Sequence, residues 1–373
     1  MKMELIASCA FGLEKLVYDE IKALGLWVVK KEDGRVIFEG EERDIVRTNL
    51  WLRCADRVQI KIGEFTAETF DELFDKIKLL EWEKYIGPDD TFPVDATSTK
   101  SALHSEPAIQ SIVKKAIVRR LEQKHDVQLL PENSGSIYQI LVKANKDQFI
   151  VTIDTSGESL HKRGYRSQAN IAPIKETLAA ALVKLSDWTP DRTLIDPFCG
   201  SGTILIEAAL IAQNIAPGLD RAFVFQTWRS LDAKMIEEIY EEARQAEKSN
   251  LELKIQGSDL DQRSLETAKQ NAKKAGISNL IFKYSDFNDL EFSTFENCTF
   301  IANPPYGERL EETATVEKMY QDFGKKFKES KNCSLFLITS NENFPRLFGR
   351  PADKNRKLFN GNIRCYLYSY FAK

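Results

Sequence analysis

Residues 303–306 read Asn-Pro-Pro-Tyr and directly follow an apolar run that ends at Ala302. Two consecutive prolines can neither continue a helix nor donate to a sheet ladder, so they predict a rigid turn. The ring constraints fix the carbonyl of Pro304, and the side chain of Asn303 supplies a second acceptor oxygen. Two fixed acceptors match the two protons of an exocyclic amine on a nucleobase, and they would stabilise positive charge developing on its nitrogen. The ring of Tyr306 would offer a surface on which the base stacks, an interaction worth about 1–3 kcal/mol in single-stranded nucleic acids.

Polar side chains end four apolar runs in the second half of the chain. The runs TLID, KIQGSD, LIFKYSD and CTFIAN finish at Asp196, Asp259, Asp286 and Asn303. In an open parallel sheet, ligands bind outside the carboxyl ends of the strands, so we expect all four side chains to face one crevice. The alternative is that each residue only begins a turn or caps a helix, which would be the simpler explanation for a single strand.

The segment after the first run is DPFCGSGT, residues 196–203. Gly200 and Gly202 would let the backbone pass close to a ligand, and a helix beginning near Thr203 would present its N–H groups there. The dinucleotide fingerprint requires a third glycine, which GSGTIL lacks, so NAD is disfavoured.

The acidic residues on the next strands suit an adenosine better than a dinucleotide. The carboxylate of Asp259 could accept both hydroxyl protons of a ribose diol. Asp286 beside Phe287 would suit an adenine, as an acceptor for its amino group next to a flat apolar surface. A sulfonium methyl donor is already activated, so no nucleophilic residue is required and catalysis would be mainly alignment. We interpret Cys199 accordingly as a packing residue.

The elements that must position these residues fall into two patterns. Residues 1–156 mix short strands and helices, with a hairpin that turns at Asp33-Gly34 and a long basic helix over 107–124. From about residue 173 onward strands alternate with helices, which predicts an α/β fold with a doubly wound, mostly parallel sheet. The last run, RCYLYSYF at 364–371, alternates in polarity and predicts an antiparallel edge strand.

The composition is that of an ordinary globular protein, with 43% apolar and 29% charged residues among 373. We expect no membrane association, because the sequence has no long apolar run and no signal-peptide pattern. The six cysteines are scattered without a Cys-x-x-Cys pair, so we expect reduced thiols, a cytoplasmic location and no metal site. The net charge of −4 argues against indiscriminate nucleic-acid binding.

Basic residues nevertheless cluster in two regions, which favours a specific polyanion as partner. In the first region, 99–125, the candidate RNA contacts are Lys100, Lys114, Lys115, Arg119 and Arg120. A solvated helix face is an equally good explanation of that charge. The second region, 343–364, would either close over a substrate nucleotide or form a plain loop. Between the two regions, Arg163 and Arg166 could bind RNA phosphates or a cofactor carboxylate.

DPFCGSGT and NPPYGERL together resemble the motifs of class I S-adenosylmethionine-dependent amino-methyltransferases. LHKRGYR at 160–166 and APIKETLAAAL at 172–182 narrow the resemblance to THUMP-domain RNA methyltransferases. Within these, the chain is similar to the half of the bacterial large-subunit rRNA enzyme that methylates guanine N2, and the resemblance covers nearly all of it. The large enzyme of some bacteria carries a second methyltransferase domain, and activity on a second base is not expected from the sequence up to residue 373.

The resemblance implies a division into three domains and a set of site residues. Residues 1–64 would be a ferredoxin-like domain, 65–156 an RNA-binding THUMP domain, and 157–373 the methyltransferase domain. The segment HKRGYR would lie across the mouth of the cofactor pocket. The implied cofactor residues are Asp196, Phe198, Cys199, Gly200, Ser201, Gly202, Thr203, Asp259, Leu260, Asp286, Phe287 and Asn303. The implied acceptor-base residues are Asn303, Pro304, Pro305 and Tyr306.

The sequence therefore predicts methyl transfer from S-adenosylmethionine to guanine N2 in RNA, most simply large-subunit rRNA. Three alternatives stay open: a tRNA guanine-N2 methyltransferase, an adenine-N6 nucleic-acid methyltransferase, and a non-catalytic RNA-binding assembly factor. The basic α+β unit in the first third suits structured RNA better than DNA. The intact Asn303 and the intact glycines at 200 and 202 weigh against a non-catalytic factor.

Overall fold

Two seven-stranded sheets organise the computed structural model, which describes residues 2–126, 135–166, 174–248, 251–306 and 310–372, without the side chains of 310–312. Residues 172–173 and 307–309, which belong to two of the sequence motifs, lie outside the described residues. None of the helices within these ranges is both long and apolar enough to cross a membrane.

The first sheet takes strands from the whole of the first 156 residues. Its strands are β1 (Met3–Ser8), β2 (Trp27–Glu32), β3 (Arg35–Gly40), β4 (Arg57–Thr66), β5 (Val94–Thr99), β6 (Ile140–Asn145) and β7 (Gln148–Asp154). Four helices accompany it: α1 (Glu14–Ala23), α2 (Glu42–Trp51), α3 (Phe70–Leu79) and α4 (Glu106–His125). These helices share one apolar core with alternate residues of the strands, such as Leu5 and Ala7, whereas Ile6 points to the opposite face. The helices therefore cover one face of the sheet.

The strand order β2-β3-β1-β4-β7-β6-β5 joins the first two predicted domains in a single sheet. Strand β4 pairs antiparallel with β1 on one side and with β7 on the other, from Gln59↔Asp154 to Thr66↔Gln148. The predicted boundary at residue 64 falls inside β4. The two predicted units are consequently continuous through their backbone hydrogen bonds.

The second sheet belongs to the region where strands and helices alternate in the sequence. Its strands are β8 (Thr193–Asp196), β9 (Ile255–Asp259), β10 (Leu280–Tyr284), β11 (Cys298–Ala302), β12 (Ser334–Thr339), β13 (Lys354–Asn360) and β14 (Ile363–Tyr370). The helices are α5 (Glu176–Leu185), α6 (Thr203–Ala212), α7 (Ala233–Gln245), α8 (Gln262–Lys274), α9 (Leu310–Phe327) and α10 (Phe344–Phe348). The central strands β11 and β12 are buried along their whole length, as expected for parallel strands with both faces covered.

The order β10-β9-β8-β11-β12-β14-β13 confirms the doubly wound, mostly parallel sheet. The first five strands of this order are parallel, and β14 runs antiparallel to both β12 and β13. The prediction that 364–371 forms an edge strand is wrong, because β13 pairs outside β14 and takes the edge position. The basic region 343–364 is likewise not a plain loop: it contains α10 and β13 and ends in β14.

Buried polar contacts join the units that carry the two sheets. Arg53, next to the end of α2, donates to the carbonyl of Ile215 beyond the end of α6 at 2.6 Å. The backbone N–H of Gly218 donates to the carbonyl of Leu50 at 3.0 Å. Arg163, only 4% exposed, donates to the carbonyls of Leu160 and Arg53. The N-terminal unit is therefore held directly against the helix that follows β8.

Candidate active site

The four polar strand ends meet at one edge of the second sheet. Strands β10, β9, β8 and β11 are consecutive in the sheet and parallel, so their carboxyl ends lie side by side. The pairing of Phe300 with Ile195 brings Asn303 level with the residues just after Asp196, one strand away. Neighbouring strands are about 4.8 Å apart, which is short compared with the length of a nucleobase plus a methyl bridge. The prediction of a common edge is confirmed.

The backbone between β8 and α6 forms a tight bend that is fixed from β9. The backbone N–H of Cys199 donates to the carbonyl of Ser258 at 3.0 Å, and that of Gly200 donates to Oδ2 of Asp259 at 2.8 Å. Gly202 has a φ of +78°, and a Cβ there would lie 3.1 Å from the Cβ of Ala268 on α8. The bend thus needs glycine for both its conformation and its close packing. It directs the N-terminus of α6 toward the common edge.

The carboxylates beside this bend differ in environment. Asp259 accepts from Gly200 and, through Oδ1, from the backbone N–H of Asp261 at 3.0 Å, and it is partly exposed. Each of its oxygens keeps a lone pair for a further donor. Asp196 is 1% exposed, and its burial, reinforced by the nearby charge of Asp259, raises its pKa to about 8. The N–H of Phe198 opposes this rise by donating to Oδ1 of Asp196 at 3.0 Å. Burial and the charge of Asp259 thus favour the protonated form of Asp196.

Other predicted cofactor residues take different positions around the bend. Thr203 is buried in the first turn of α6. Ser201 is buried in the bend just before it, and the Ser201 carbonyl accepts from Asn271 at 3.2 Å. The Cys199 thiol is buried, and burial raises its pKa, which fits a packing role. Leu260, by contrast, is 56% exposed beside Asp259 and offers an apolar side chain at the edge.

The prediction that the ring of Phe287 supplies a free flat surface is wrong. Phe287 is 3% exposed and stacks on Phe198 with ring centroids 5.1 Å apart. Its ring also contacts Phe292 and Phe323, so it belongs to the core below the edge. Asp286 does lie at the edge, where it accepts from the backbone N–H of Asn288 at 2.7 Å.

The Asn-Pro-Pro-Tyr turn is held from three sides. The hydroxyl of Tyr306 donates to Oδ1 of Asn303 at 2.7 Å, which fixes the orientation of the amide. The hydroxyl of Tyr320 on α9 donates to the carbonyl of Pro305 at 3.1 Å. Asn360, at the end of β13, reaches the Tyr306 hydroxyl at 3.5 Å. Because an amide oxygen has two lone pairs, Asn303 can still accept one further hydrogen bond.

Sequence reasoning missed Tyr320 and Asn360. They lie 14 and 54 residues beyond Tyr306 in the chain, and only the packing of α9 and of the β13–β14 hairpin brings them to the turn. The chain carries no local motif around either residue that would have identified it.

The two arginines of the segment HKRGYR have separate environments. Arg166 donates to the hydroxyl of Thr203 at 3.0 Å and pairs with Glu176 at 3.2 Å, so it lies beside the N-terminus of α6. Arg163 is buried against Glu207, with 3.6 Å between Nε and Oε1. The prediction that Arg163 contacts RNA is contradicted by this burial.

The basic helix α4 is less available to a polyanion than its sequence suggests. Arg120 forms two hydrogen bonds with the carboxylate of Glu83, and Arg119 pairs with Glu122 at 3.0 Å. Lys114 lies 6.0 Å from the ring centroid of Phe92. Lys100 and Lys115 are exposed. Part of the positive charge of this helix is therefore balanced within the protein.

Within the described ranges, no group of three or more His, Cys, Asp or Glu side chains is arranged to hold a metal ion. The six cysteines, all within these ranges, are buried and are not joined in disulfides.

Family models match three successive regions of the chain. The model described as "RMKL-like, methyltransferase domain" matches residues 163–369, the "RlmL ferredoxin-like domain" matches 4–59, and the "THUMP domain" matches 67–154. The first match alone spans more than half of the chain.

Curated relatives agree with these matches. The "Putative RNA methyltransferase YpsC" of Bacillus subtilis is 46% identical over 374 residues, covering 100% of this chain and 97% of that protein. The "Ribosomal RNA large subunit methyltransferase K/L" of Syntrophotalea carbinolica is 33% identical, covering 99% of this chain and 53% of that protein. The chain therefore spans about half the length of the K/L relative.

Solved structures have the same fold over the whole chain. SMU.472, solved in complex with SAH, is 43% identical with a TM-score of 0.95, and the match covers 100% of this chain and 98% of that one. A "predicted N6-adenine-specific DNA methylase" from Listeria monocytogenes is 45% identical with a TM-score of 0.94, covering 100% of this chain and 97% of that one.

Proposed function

Because the chain belongs to the RlmL-like family of THUMP-domain methyltransferases, we propose that it methylates the exocyclic N2 amine of a guanine in RNA. Large-subunit rRNA is the substrate that we favour, since the K/L relative carries that substrate in its name. The methyl donor is S-adenosylmethionine. The three proposed domains, 1–64, 65–156 and 157–373, each contain one of the matched regions.

The main support for this proposal is that two loops lie side by side at one edge of the second sheet. The glycine bend with Asp259 follows β8 and β9, and the rigid Asn-Pro-Pro-Tyr turn follows the adjacent strand β11. The bend suits a nucleoside with a charged tail, and the turn suits an amine on a flat ring. One cleft can therefore hold both reactants.

Different residues around the bend would hold different parts of the cofactor. Asp259 has free lone pairs for the ribose hydroxyls, Leu260 offers apolar surface beside them, and Asp286 would accept from the adenine amino group. Phe287 would contact the cofactor through its backbone only. Arg166, beside the first turn of α6, would attract the carboxylate of the methionine end. The bound cofactor supplies an electrophilic methyl group on a sulfonium.

Asn303 and Pro304 would grip the acceptor amine. The Asn303 oxygen and the Pro304 carbonyl would each accept one amine proton, which stabilises positive charge on the nitrogen as it attacks. The amide is already oriented by Tyr306, and the turn by Tyr320, so the acceptors need little reorganisation when the base arrives. Lys100 and Lys115, exposed at and near α4, would contact RNA phosphates at a distance from the reacting base.

The test of this function is transfer of label from tritiated S-adenosylmethionine to RNA. We expect the purified protein to label large-subunit rRNA from a strain that lacks this gene, and not rRNA from the parent strain. Nucleoside mass spectrometry should then identify N2-methylguanosine in the labelled product. Label that appears only in tRNA or DNA would contradict the substrate proposed here.

Asn303→Ala separates the chemistry from cofactor binding. We expect it to reduce methyl transfer by at least a hundredfold, because one of two preorganised acceptors is lost. Cofactor affinity, measured by calorimetry, should stay within a few-fold of the wild-type value. Asp259→Ala is the matched control with the reverse expectation, since its primary effect should be weaker cofactor binding. A loss of cofactor binding in Asn303→Ala would show that the role given to Asn303 is wrong.

Adenine N6 is the second candidate acceptor. A 45% identical protein of known structure carries that activity in its name, and two fixed acceptors would grip an adenine amine equally well. The same labelled RNA distinguishes the two, because N6-methyladenosine and N2-methylguanosine separate by mass and retention. A tRNA guanine is another alternative, and the RNA that takes up label identifies it. A non-catalytic RNA-binding factor would transfer no label to any RNA.

A further inference from the structure

An exposed surface beside the Asn-Pro-Pro-Tyr turn combines aromatic rings with cations from the two ends of the chain. The loop after β1 contributes Phe11, which is 45% exposed. The β13–β14 hairpin contributes Phe359, whose ring lies edge-on to that of Phe11 with centroids 5.9 Å apart. The Nζ atom of Lys357 lies 5.9 Å from the Phe11 centroid and 5.5 Å from the Phe359 centroid. We call these three residues the Phe11–Phe359 surface.

The loop that carries Phe11 is fixed against the hairpin. Arg356 donates to the carbonyl of Gly12 at 3.4 Å. Gly12 has a φ of +92°, and a Cβ there would lie 2.7 Å from the carbonyl oxygen of Lys357. The carboxylate of Glu14 accepts from the backbone N–H groups of Gly12 and Gly34, so the loop is also held from its own domain. The position of Phe11 is thus set by specific contacts.

The hairpin places this surface next to the predicted acceptor base. Phe359 is followed directly by Asn360, which reaches the hydroxyl of Tyr306, and Tyr306 in turn donates to Asn303. A short chain of contacts therefore runs from Asn303 through Tyr306 and Asn360 to Phe359, which lies beside the exposed ring of Phe11.

Lys357, the cation of this surface, is available for an anionic partner. Among the described residues, neither Lys357 nor Arg356 forms an ion pair with a carboxylate. On α4, in contrast, Arg119 and Arg120 both pair with glutamates. A cation without a carboxylate partner beside an exposed aromatic ring is a combination that binds single-stranded nucleic acid, since a phosphate meets the cation and a base stacks on the ring.

We propose that the Phe11–Phe359 surface binds the nucleotides of single-stranded RNA that flank the methylated base, with a flanking base stacked on Phe11 and a phosphate on Lys357. This inference rests on the proposed function for the identity of the partner as RNA. It adds a substrate-binding site built jointly by the N-terminal domain and the C-terminal hairpin. An acidic peptide is the other partner with matching charge, and it would not need the exposed ring.

The experiment measures RNA affinity without methyl transfer. A fluorescent, unstructured RNA of about ten nucleotides, within the range of sites for such binding, is titrated with the full chain and followed by anisotropy at several salt concentrations. We expect Phe11→Ala to raise Kd roughly tenfold, the loss of one stacked base. Lys357→Gln should lower the slope of log Kd against log salt by about 0.7, the value for one phosphate contact on a single strand.

Matched controls come from exposed residues of the same types elsewhere. Trp27→Ala removes an aromatic ring that is 66% exposed on β2, and Lys234→Gln removes a lysine whose side chain is 81% exposed on α7. Both should leave Kd and the salt slope unchanged. If Phe11→Ala lowers the melting temperature, Lys357→Gln decides instead, because it leaves the two rings and the contact of Arg356 with Gly12 in place.

The outcomes distinguish this inference from the proposed function. Kd values and salt slopes that match the wild type in Phe11→Ala and Lys357→Gln would overturn the RNA site, whether or not the protein methylates RNA. RNA affinity that depends on Phe11 and Lys357 supports the site even if labelling experiments find no methylated RNA, in which case the proposed function alone fails. The RNA site would also be overturned if acidic peptides compete with RNA through Lys357 while Phe11→Ala leaves the Kd for RNA unchanged.

Discussion

Single residues at the common edge are poised in states that the reactants would change. Tyr306 already donates to the Asn303 oxygen, which orients the amide. Asp196 is buried next to Asp259, and its burial raises its pKa to about 8, which favours the protonated form at neutral pH. A cation bound nearby would favour the carboxylate form of Asp196 and would therefore lower that pKa.

This predicts that cofactor binding releases a proton near pH 7. Below pH 8 the free protein must lose the Asp196 proton to meet the cofactor's charge, so affinity should rise as pH increases from 6 toward 8, by up to about tenfold per pH unit. Calorimetry at pH 7 in two buffers of different ionisation enthalpy should give different heats. In Asp196→Asn this difference should disappear, as should the pH dependence. Equal heats for the wild type in both buffers would contradict the prediction.

At the scale of elements, the bend between β8 and α6 depends on close contact with β9. Gly257 of β9 faces both Leu205 on α6 and Cys199 in the bend. A Cβ at position 257 would lie 2.5 Å from Cδ1 of Leu205 and 2.7 Å from Cβ of Cys199, so these atoms must move. The geometry of the candidate cofactor site is therefore coupled to the packing beneath it.

Gly257→Ala should disturb the site without touching a ligand. Overpacking of this kind costs about 1–3 kcal/mol of unfolding free energy, and displacement of the bend should weaken cofactor binding as well. Urea denaturation and cofactor calorimetry measure the two effects. Gln256→Ala, at the preceding position on the same strand, is the control and should change neither. If Gly257→Ala is destabilised but binds the cofactor with wild-type affinity, overpacking at position 257 does not displace the bend.

The elements were easier to predict from sequence than their neighbours in space. The parallel sheet followed from alternating strands and helices, and the common edge followed from polar residues at four strand ends. The burial of Phe287 could not be read from its sequence, because a phenylalanine after an aspartate looks the same whether its ring faces a ligand or three other rings. The same holds for Arg163, whose partners Glu207 and Arg53 are distant in the chain.

The misassigned edge strand has a related cause. Alternation along 364–371 specifies an antiparallel strand, but it does not specify what pairs on its outer side. The strand β13 that occupies this position is rich in lysine and arginine, a composition that also suits a loop. Charged residues are common on edge strands because they discourage further pairing.

For the whole molecule, the buried contacts of Arg163 connect the N-terminal unit to the unit that carries the second sheet. Glu207 on α6 is fully buried and accepts from the hydroxyl of Tyr165 at 3.0 Å, with Arg163 beside it. Arg163 also donates to the carbonyl of Arg53 in the N-terminal unit. Removing Arg163 would break this buried ion pair and its hydrogen bond to Arg53.

Arg163→Met should therefore destabilise the protein strongly. Breaking a buried pair by deleting one partner costs about 3–5 kcal/mol of unfolding free energy. Lys162→Met is the matched control, because Lys162 pairs with Glu158 on the surface, where such pairs contribute about 0–1 kcal/mol. Urea unfolding of the two variants measures the difference. Equal effects would show that the buried contacts of Arg163 contribute no more to stability than a surface ion pair does.

The continuous first sheet has a consequence for the shape of the substrate. Since β4 is hydrogen-bonded to both β1 and β7, and the loop carrying Phe11 contacts the hairpin, the first sheet would be held at a fixed distance from the Asn-Pro-Pro-Tyr turn. An RNA bound to the unit of the first sheet could then present to this turn only a nucleotide at that distance. If the proposed function holds, the target nucleotide would be selected by its distance from the RNA contacts more than by the sequence around it.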